Sequence, residues 1–275
     1  MSTRTPFAAA ATVAVTVTVT VLGGAVVTVA PVAAAPSITL GYETGPAYVA
    51  QNDGRYGDAG TPYEAGDVGQ QANLVVVSRT TVEVDHGPHA FILLYAPFDV
   101  TTRVTLADDL RFRDTRFAAG TVVDHRYRFD GFRASYLHRV LPAPFGLELG
   151  ASLQIRNAAV AFTSVDGAAH DEQDDIGLVG ALKARATYRP ATGPWAALEA
   201  DALSTFGLIG DVSGGIYDVA VEVGGTIRPG VDLYLNARLL GGGAEVPSQA
   251  IDNWANIVSF GAGVRVDLGR VGPRG

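Results

Sequence analysis

The chain has 275 residues, with 33 Gly, 14 Pro and no Cys, and its 20 Lys and Arg face 28 Asp and Glu. The lack of cysteine excludes a disulfide scaffold and thiolate metal ligands. The acidic balance argues against nucleic acid as a partner, because nucleic-acid-binding surfaces need clustered positive charge.

The first 34 residues have the layout of a secretory signal peptide. Arg4 precedes a long run of Ala, Val and Thr, and the run ends in small residues. Cleavage after Ala34, with Val32 and Ala34 as the small pair, would leave a mature domain of residues 35–275. The alternative is a retained membrane anchor, because the apolar run is roughly long enough to span a bilayer. Both interpretations predict export.

From Ile38 onward, apolar and polar residues alternate with a period of two, and no apolar run is long enough for a membrane helix. This pattern predicts an all-β chain. The ten predicted strands cover residues 38–51, 71–85, 89–104, 121–140, 145–163, 175–189, 194–207, 215–228, 231–243 and 254–268.

The links between the predicted strands alternate between short and long. The short links, at 86–88, 141–144, 190–193 and 229–230, are rich in Pro and Gly and predict tight turns. The long links are polar and cover residues 53–69, 105–120, 164–175, 207–215 and 243–253. This order predicts an antiparallel up-and-down meander with all short turns at one end, as in outer-membrane barrels.

Each predicted strand has one apolar and one charged face. In residues 147–159, for example, Leu149 and Leu153 oppose Ser152 and Gln154. A soluble lipocalin-like barrel would turn the apolar face inward, and a membrane barrel would turn it outward. Strand length, strand number, the export signal and the segregated links favour a transmembrane barrel of about ten strands, with eight or twelve as alternatives. An apparent change of parity between Phe129 and Phe132 predicts a β-bulge at Asp130–Gly131.

Three segments carry a resemblance to a known group of proteins. "GTVVDHRYRFDGFRASYLHRVL" (120–141), "LELGASLQIRNAAVAFTS" (147–164) and "NWANIVSFGAGVRVDL" (253–268) resemble uncharacterised small outer-membrane β-barrel proteins of Gram-negative bacteria, which share a Tyr-x-Phe-x-x-(Tyr/Phe)-Arg-x-x-Tyr signature. The resemblance implies a porin-like or OmpA-barrel-like architecture, an outer-membrane location and contact with outer-membrane lipid. One departure is the ending "VDLGRVGPRG", since such barrels often finish on an aromatic residue.

Charged residues on the polar faces are expected to line the lumen. Basic residues concentrate in 121–189 and acidic residues in 199–232, so closure of the sheet would set opposite charges across the interior. We expect these charges to form space-filling pairs rather than a selectivity filter. The predicted lumen-lining residues are Arg126, Arg128, Arg133, Glu148, Arg156, Lys183, Arg185, Glu199, Asp201, Asp218, Glu222, Asp232, Arg238 and Arg265.

No stretch of the sequence carries a strong catalytic or metal-binding motif. The segment 164–175 holds five carboxylates and His170, but the spacing does not fit an EF-hand, and a solvated loop is the better interpretation. Asp124 with His125 could suggest an omptin-like protease, and Ser135 with His138 a lipid A-modifying enzyme, yet the latter pair lies on opposite predicted faces. We therefore expect no catalytic residue, no metal site and no cofactor.

The predicted function is non-enzymatic: a membrane barrel that binds or passes a small solute, or that has a structural role. A membrane-embedded hydrolase and a soluble lipocalin-like carrier remain the alternatives.

Overall fold

A computed structural model describes residues 35–205, 207 and 210–270 of the chain. These residues form a closed antiparallel barrel. The predicted signal peptide lies outside these residues. Within them, no helix is long and apolar enough to cross a bilayer. The strands are β1 Ser37–Tyr56, β2 Leu74–His86, β3 His89–Ala96, β4 Asp99–Thr105, β5 Leu110–Phe112, β6 Thr115–Phe117, β7 Val122–Leu141, β8 Phe145–Ser164, β9 His170–Tyr188, β10 Trp195–Ser204, β11 Ser213–Arg228, β12 Val231–Val246 and β13 Ile251–Asp267.

Ten strand positions make up the barrel wall, which confirms the predicted number. Strands β7 to β13 pair in chain order, β13 pairs with β1, and β1 continues through β2 to β3. The wall closes where β3 pairs with Gly131–His138 of β7. Strand β4 pairs with the other half of β7, Val122–Arg128, so β3 and β4 together fill one wall position. The small β5–β6 hairpin forms a separate sheet and is not part of this wall.

The predicted bulge at Asp130–Gly131 is wrong. Strand β7 pairs with β8 without a register shift from Val123 to Arg139, and the interruption lies instead between β3 and β4. Side chains therefore keep one parity along β7: Tyr127, Phe129 and Arg133 lie on the inner face. The predicted loop 164–175 is also shorter than expected, because β9 already begins at His170.

The outer face of the barrel is apolar over a continuous band, as in a transmembrane barrel and opposite to a lipocalin. On β9, Ile176, Leu178 and Leu182 point outward with 74%, 70% and 68% of their surface exposed. Aromatic residues border this band near the short turns, including Phe145 and Tyr188, whose rings pack together.

The upper limit of the apolar band, at the end with the long links, follows the rows of paired residues. Phe132, Ile155 and Leu178 are cross-strand neighbours on the outer face, and all three are exposed and apolar. Four residues higher on β7, the corresponding row on the outer face begins with Arg128 and ends with Asp174. The strands β7, β8 and β9 therefore project beyond the band into solvent.

A charge placed in this band tests which face meets lipid. We expect Leu182→Arg to lower the free energy of unfolding by about 2–4 kcal/mol, the cost of a basic side chain near the bilayer midplane. The measurement is a denaturant titration of protein folded into lipid vesicles. The control is Asp174→Arg, on the same face of the same strand but above the band, where the cost should be at most about 1 kcal/mol. Equal costs at the two positions would contradict the assigned band.

Candidate functional site

A network of buried charges crosses the middle of the lumen, and we call it the charged plug. Its centre is Asp218, which is fully buried on β11 and accepts hydrogen bonds from three guanidinium groups. The donors are Arg133 of β7 at 2.9 Å, Arg238 of β12 at 2.6 Å and Arg79 of β2 at 3.1 Å. Because β2 and β7 lie across the barrel from β11 and β12, these bonds span the interior. The members of the plug are Glu43, Arg79, Arg133, Gln154, Lys183, Glu199, Asp201, Asp218 and Arg238.

The remaining plug residues satisfy the charges around this centre. Asp201 accepts hydrogen bonds from Arg133 at 2.9 Å, from the Lys183 ammonium at 2.8 Å and from the Ser152 hydroxyl at 2.6 Å. Glu43 of β1 lies 3.1 Å from Arg238 and 3.2 Å from Arg79. Buried charges are tolerated when partners of this kind compensate them.

A second charged layer lies between the plug and the short turns. Arg185 donates to Glu83 at 2.6 Å and 2.8 Å and to Glu148 at 2.6 Å. Arg265 donates to Glu222 at 2.7 Å and stacks over the ring of Tyr234, 4.4 Å from its centroid. Long side chains thus occupy the lower half of the lumen in two successive layers.

The structure places twelve of the fourteen predicted lumen residues on the inner face, but not Arg126 and Arg128. Arg126 pairs with Asp99 on the outer surface, and Arg128 donates to Asn157 at 3.3 Å on that same face. Both arginines lie above the apolar band, where the outer face meets solvent and accepts charge. Glu43 was missing from the predicted set; its alternation with Tyr42 and Thr44 was a usable signal.

Above the plug, part of the lumen is filled by aromatic side chains from strands and long links. The links 57–73 and 106–121 fold inward, so that Tyr63 and Phe117 pack beside Phe162 of β8. The imidazole of His125 stacks on Phe162 with ring centroids 4.3 Å apart and planes at 11°. We call this the aromatic cluster. It comprises Tyr56, Tyr63, Val68, Leu106, Leu110, Phe112, Phe117, Val123, His125, Val160 and Phe162.

His125 is held in its neutral form. It is fully buried, and neither ring nitrogen has a hydrogen-bond partner in the described part of the chain. Burial away from any compensating charge lowers the pKa of His125 from 6.5 to about 3. The residue lies above the apolar band, near the solvent end of β7.

Beside the aromatic cluster, the upper lumen contains a cavity of about 580 Å³. Tyr127 and Phe129 form one side, and small or aliphatic residues of β8, β12 and β13, such as Ala158 and Ile257, form much of the rest. Its polar groups are few. They include the ion pair between Arg156 and Asp175 and the side chains of Gln173, Gln249 and Asn253.

The residues considered for hydrolysis do not share a site. Asp124 lies on the outer surface with Arg103 at 2.8 Å, whereas His125 points into the aromatic cluster. Ser135 is buried on the inner face and His138 is exposed on the outer face.

The predicted acidic loop also forms no common site. Within residues 164–175, Asp171 pairs with Arg113 at 3.3 Å, and Asp175 pairs with Arg156. Among the described residues, no group of three or more acidic or histidine side chains could hold a metal ion.

The chain matches no known family and no curated protein. Solved structures with a similar backbone path include the outer-membrane protease OmpT of Escherichia coli. The two sequences are 12% identical, the superposition covers 84% of this chain and 97% of that chain, and the TM-score is 0.38. Ail of Yersinia pestis, bound to a heparin analogue, has 10% identity, the same two coverages and a TM-score of 0.34. The Pseudomonas putida toluene transporter TodX has 7% identity, coverages of 87% and 91%, and a TM-score of 0.35.

Loss of the central carboxylate tests the plug. We expect Asp218→Ala to lower the free energy of unfolding by about 3–5 kcal/mol, because three buried guanidiniums lose a shared acceptor. A denaturant titration in detergent micelles measures it. The matched control is Asp99→Ala, which breaks the exposed pair with Arg126 and should cost at most about 1 kcal/mol. A small effect at Asp218 would mean that the plug contributes little to stability.

Acidification tests the neutral imidazole. Because the pKa of His125 rises from about 3 to 6.5 when the aromatic cluster opens, opening takes up a proton at intermediate pH. The cluster should be unaffected by pH above 6.5 and should lose about 1.4 kcal/mol for each pH unit from there down to 3. Hydrogen exchange of the links 57–73 and 106–121 should therefore show more opening at pH 5 than at pH 7.

Two variants separate His125 from other titrating groups. His125→Phe keeps a ring stacked on Phe162 and should remove this pH dependence, whereas His138→Phe, at an exposed outer position, should preserve it. Unchanged pH dependence in His125→Phe would assign the effect to another group.

Proposed function

We propose that this protein is an exported outer-membrane barrel that binds a small, mainly apolar molecule in the upper half of its lumen, without catalysing a reaction and without forming an open pore. The observation that carries the proposal is the cavity of about 580 Å³ beside the aromatic cluster in the upper lumen. The predicted signal peptide supports export, and the apolar outer band supports a location in the membrane.

The size and lining of the cavity support binding of a small molecule. Such sites typically measure roughly 300–1,000 Å³, are lined mainly by apolar and aromatic side chains, and carry a few polar groups that orient the ligand. Here Tyr127, Phe129 and Ile257 supply apolar surface, and Arg156 and Asp175 supply polar groups. The cavity therefore suits a ligand whose surface is mostly apolar.

The charged plug supports a closed rather than conducting lumen. Ten strands enclose only slightly more space than eight, whose interior is just wide enough for side chains. In this barrel long charged side chains occupy that space and bond to one another across it. A passing ion would have to break several charge-assisted hydrogen bonds at once.

The separation of the polar groups supports a non-enzymatic role. Hydrolysis needs a nucleophile or activated water within hydrogen-bond reach of a base. Asp124 and His125 point to opposite faces of β7, as do Ser135 and His138. Neither pair matches that requirement.

Filling the cavity tests the proposal. Ala158 lies on the inner face of β8 and lines the cavity, so Ala158→Trp should occupy space needed by a ligand. The unmodified protein in detergent should bind the fluorophore N-phenyl-1-naphthylamine saturably, and Ala158→Trp should lose this binding. The control is Ala151→Trp on the outer face of the same strand, which should bind as the unmodified protein does.

Two results would contradict the proposal. One is fluorophore binding that is absent from the unmodified protein or equal in both tryptophan variants. The other is a large, stable conductance of the unmodified protein in planar bilayers, which would make the lumen a channel.

A further inference from the structure

The wall of the barrel has a notch beside β9. Strand β9 pairs with β8 along its whole length, but β10 pairs only with Leu182–Tyr188 of β9. In the described part of the chain, the upper edge of β9, from His170 to Ala181, therefore faces no strand. Among the described residues, the ten-strand wall is complete below Leu182 and open above it at this place.

A comparable gap elsewhere in the upper wall is covered. The link 57–73 covers the gap between the upper parts of β1 and β4. Within this link, Tyr63 exchanges two backbone hydrogen bonds with Gly54 of β1. Gln70 accepts a hydrogen bond of 2.6 Å from Asn52 on β1, and Asn73 bonds to Thr102 on β4. At the top of β9, Arg113 of the link 106–121 donates a hydrogen bond to the backbone carbonyl of Glu172, but among the described residues no link crosses the edge from Gln173 to Ala181.

The cavity reaches this open edge. Its lining includes Leu178, Val179 and Gly180, three consecutive residues of β9. All three lie in the stretch of β9 that pairs with no strand on its β10 side among the described residues, so the cavity borders the open edge. Residues Leu203 and Gly215, from the ends of β10 and β11, line the opposite side.

The opening lies at the level of the outer part of the membrane. Leu178 is 70% exposed on the outer face and belongs to the same row as Phe132 and Ile155, at the limit of the apolar band. Unpaired backbone groups facing hydrocarbon cost several kcal/mol each. Such an edge is tolerated where it borders a water-filled cavity, and this edge lines the cavity of the upper lumen.

We infer that this notch is a side entrance through which the cavity takes up its ligand from the membrane, and that the ligand is an uncharged molecule with an apolar body and one hydrogen-bonding group. This inference rests on the proposed ligand-binding function. It goes further by fixing the ligand class and the route of access.

The polar groups at the entrance select the ligand class. Asp175 lies on the inner face of β9 within the notch and is paired with Arg156, so the two formal charges cancel. The uncharged amide side chains of Gln173 and Gln249 also line the cavity and supply N–H donors. A neutral molecule with a hydrogen-bond acceptor fits this arrangement better than an ion.

The absence of cysteine allows the entrance to be blocked after folding. A Cβ atom added at Gly180 meets no heavy atom within 4 Å, and the same holds at Gly225 on β11, near the short-turn end. Gly180→Cys and Gly225→Cys are each folded into lipid vesicles and then coupled to a bulky polyethylene glycol maleimide. The unlabelled variant serves as the reference for its own labelled form.

The readout is the rate at which N-phenyl-1-naphthylamine, dissolved in the vesicle membrane, gains fluorescence in the protein. We expect labelled Gly180→Cys to lose most of this rate and labelled Gly225→Cys to keep it. If labelled Gly180→Cys fills at the unlabelled rate while Ala158→Trp still abolishes binding, the side entrance is wrong and the cavity fills from the solvent end. If Ala158→Trp also leaves binding unchanged, the proposed ligand-binding function itself is wrong.

Discussion

Compensation of charge inside a closed sheet is the constraint on which the rest of this structure depends. Asp218 holds guanidinium groups from β2, β7 and β12, so four wall strands must keep their mutual register for one carboxylate to remain paired. A slip of one residue in any of them would turn its charged side chain toward lipid and an apolar one into the plug. The internal charges and the external apolar band thus specify the same register from opposite sides of the wall.

The same constraint divides the lumen into two chemical zones. Charged side chains fill the lower and middle lumen, where neighbouring and opposite strands supply their partners. In the upper lumen the inner faces carry small and aromatic residues, and inward-folded links supply the packing that charges supply below. The cavity lies in the apolar zone. A barrel of this size can combine a sealed floor with space for a ligand because the filling side chains are distributed unevenly along its axis.

The number of strands, their approximate bounds and most of the lumen residues could be predicted from the sequence, because a period of two is a local signal. Arg126 and Arg128 could not be placed, since alternation records two faces but does not say where the lipid band ends; above that limit both faces accept charge. The division of one wall position between β3 and β4, the burial of His125 and the notch beside β9 depend on which distant segments meet. None of these three features produces a periodic pattern in the sequence of the strand that carries it. Glu43 was within reach, but the glycines around it weaken the alternation there.

The pairing of the first strand with the last also bears on how the barrel assembles. Thr39 of β1 lies opposite Asp267 of β13, so the two edges that meet come from opposite ends of the domain. Contacts so distant in sequence form slowly, because a long loop must close before they yield any free energy. Glu43 lies on β1 and is the partner of both Arg79 and Arg238. Arg238 therefore lacks this carboxylate until β1 pairs with β13. Completion of the wall and neutralisation of its interior are therefore a single late event, which favours a folding reaction without a stable half-closed form.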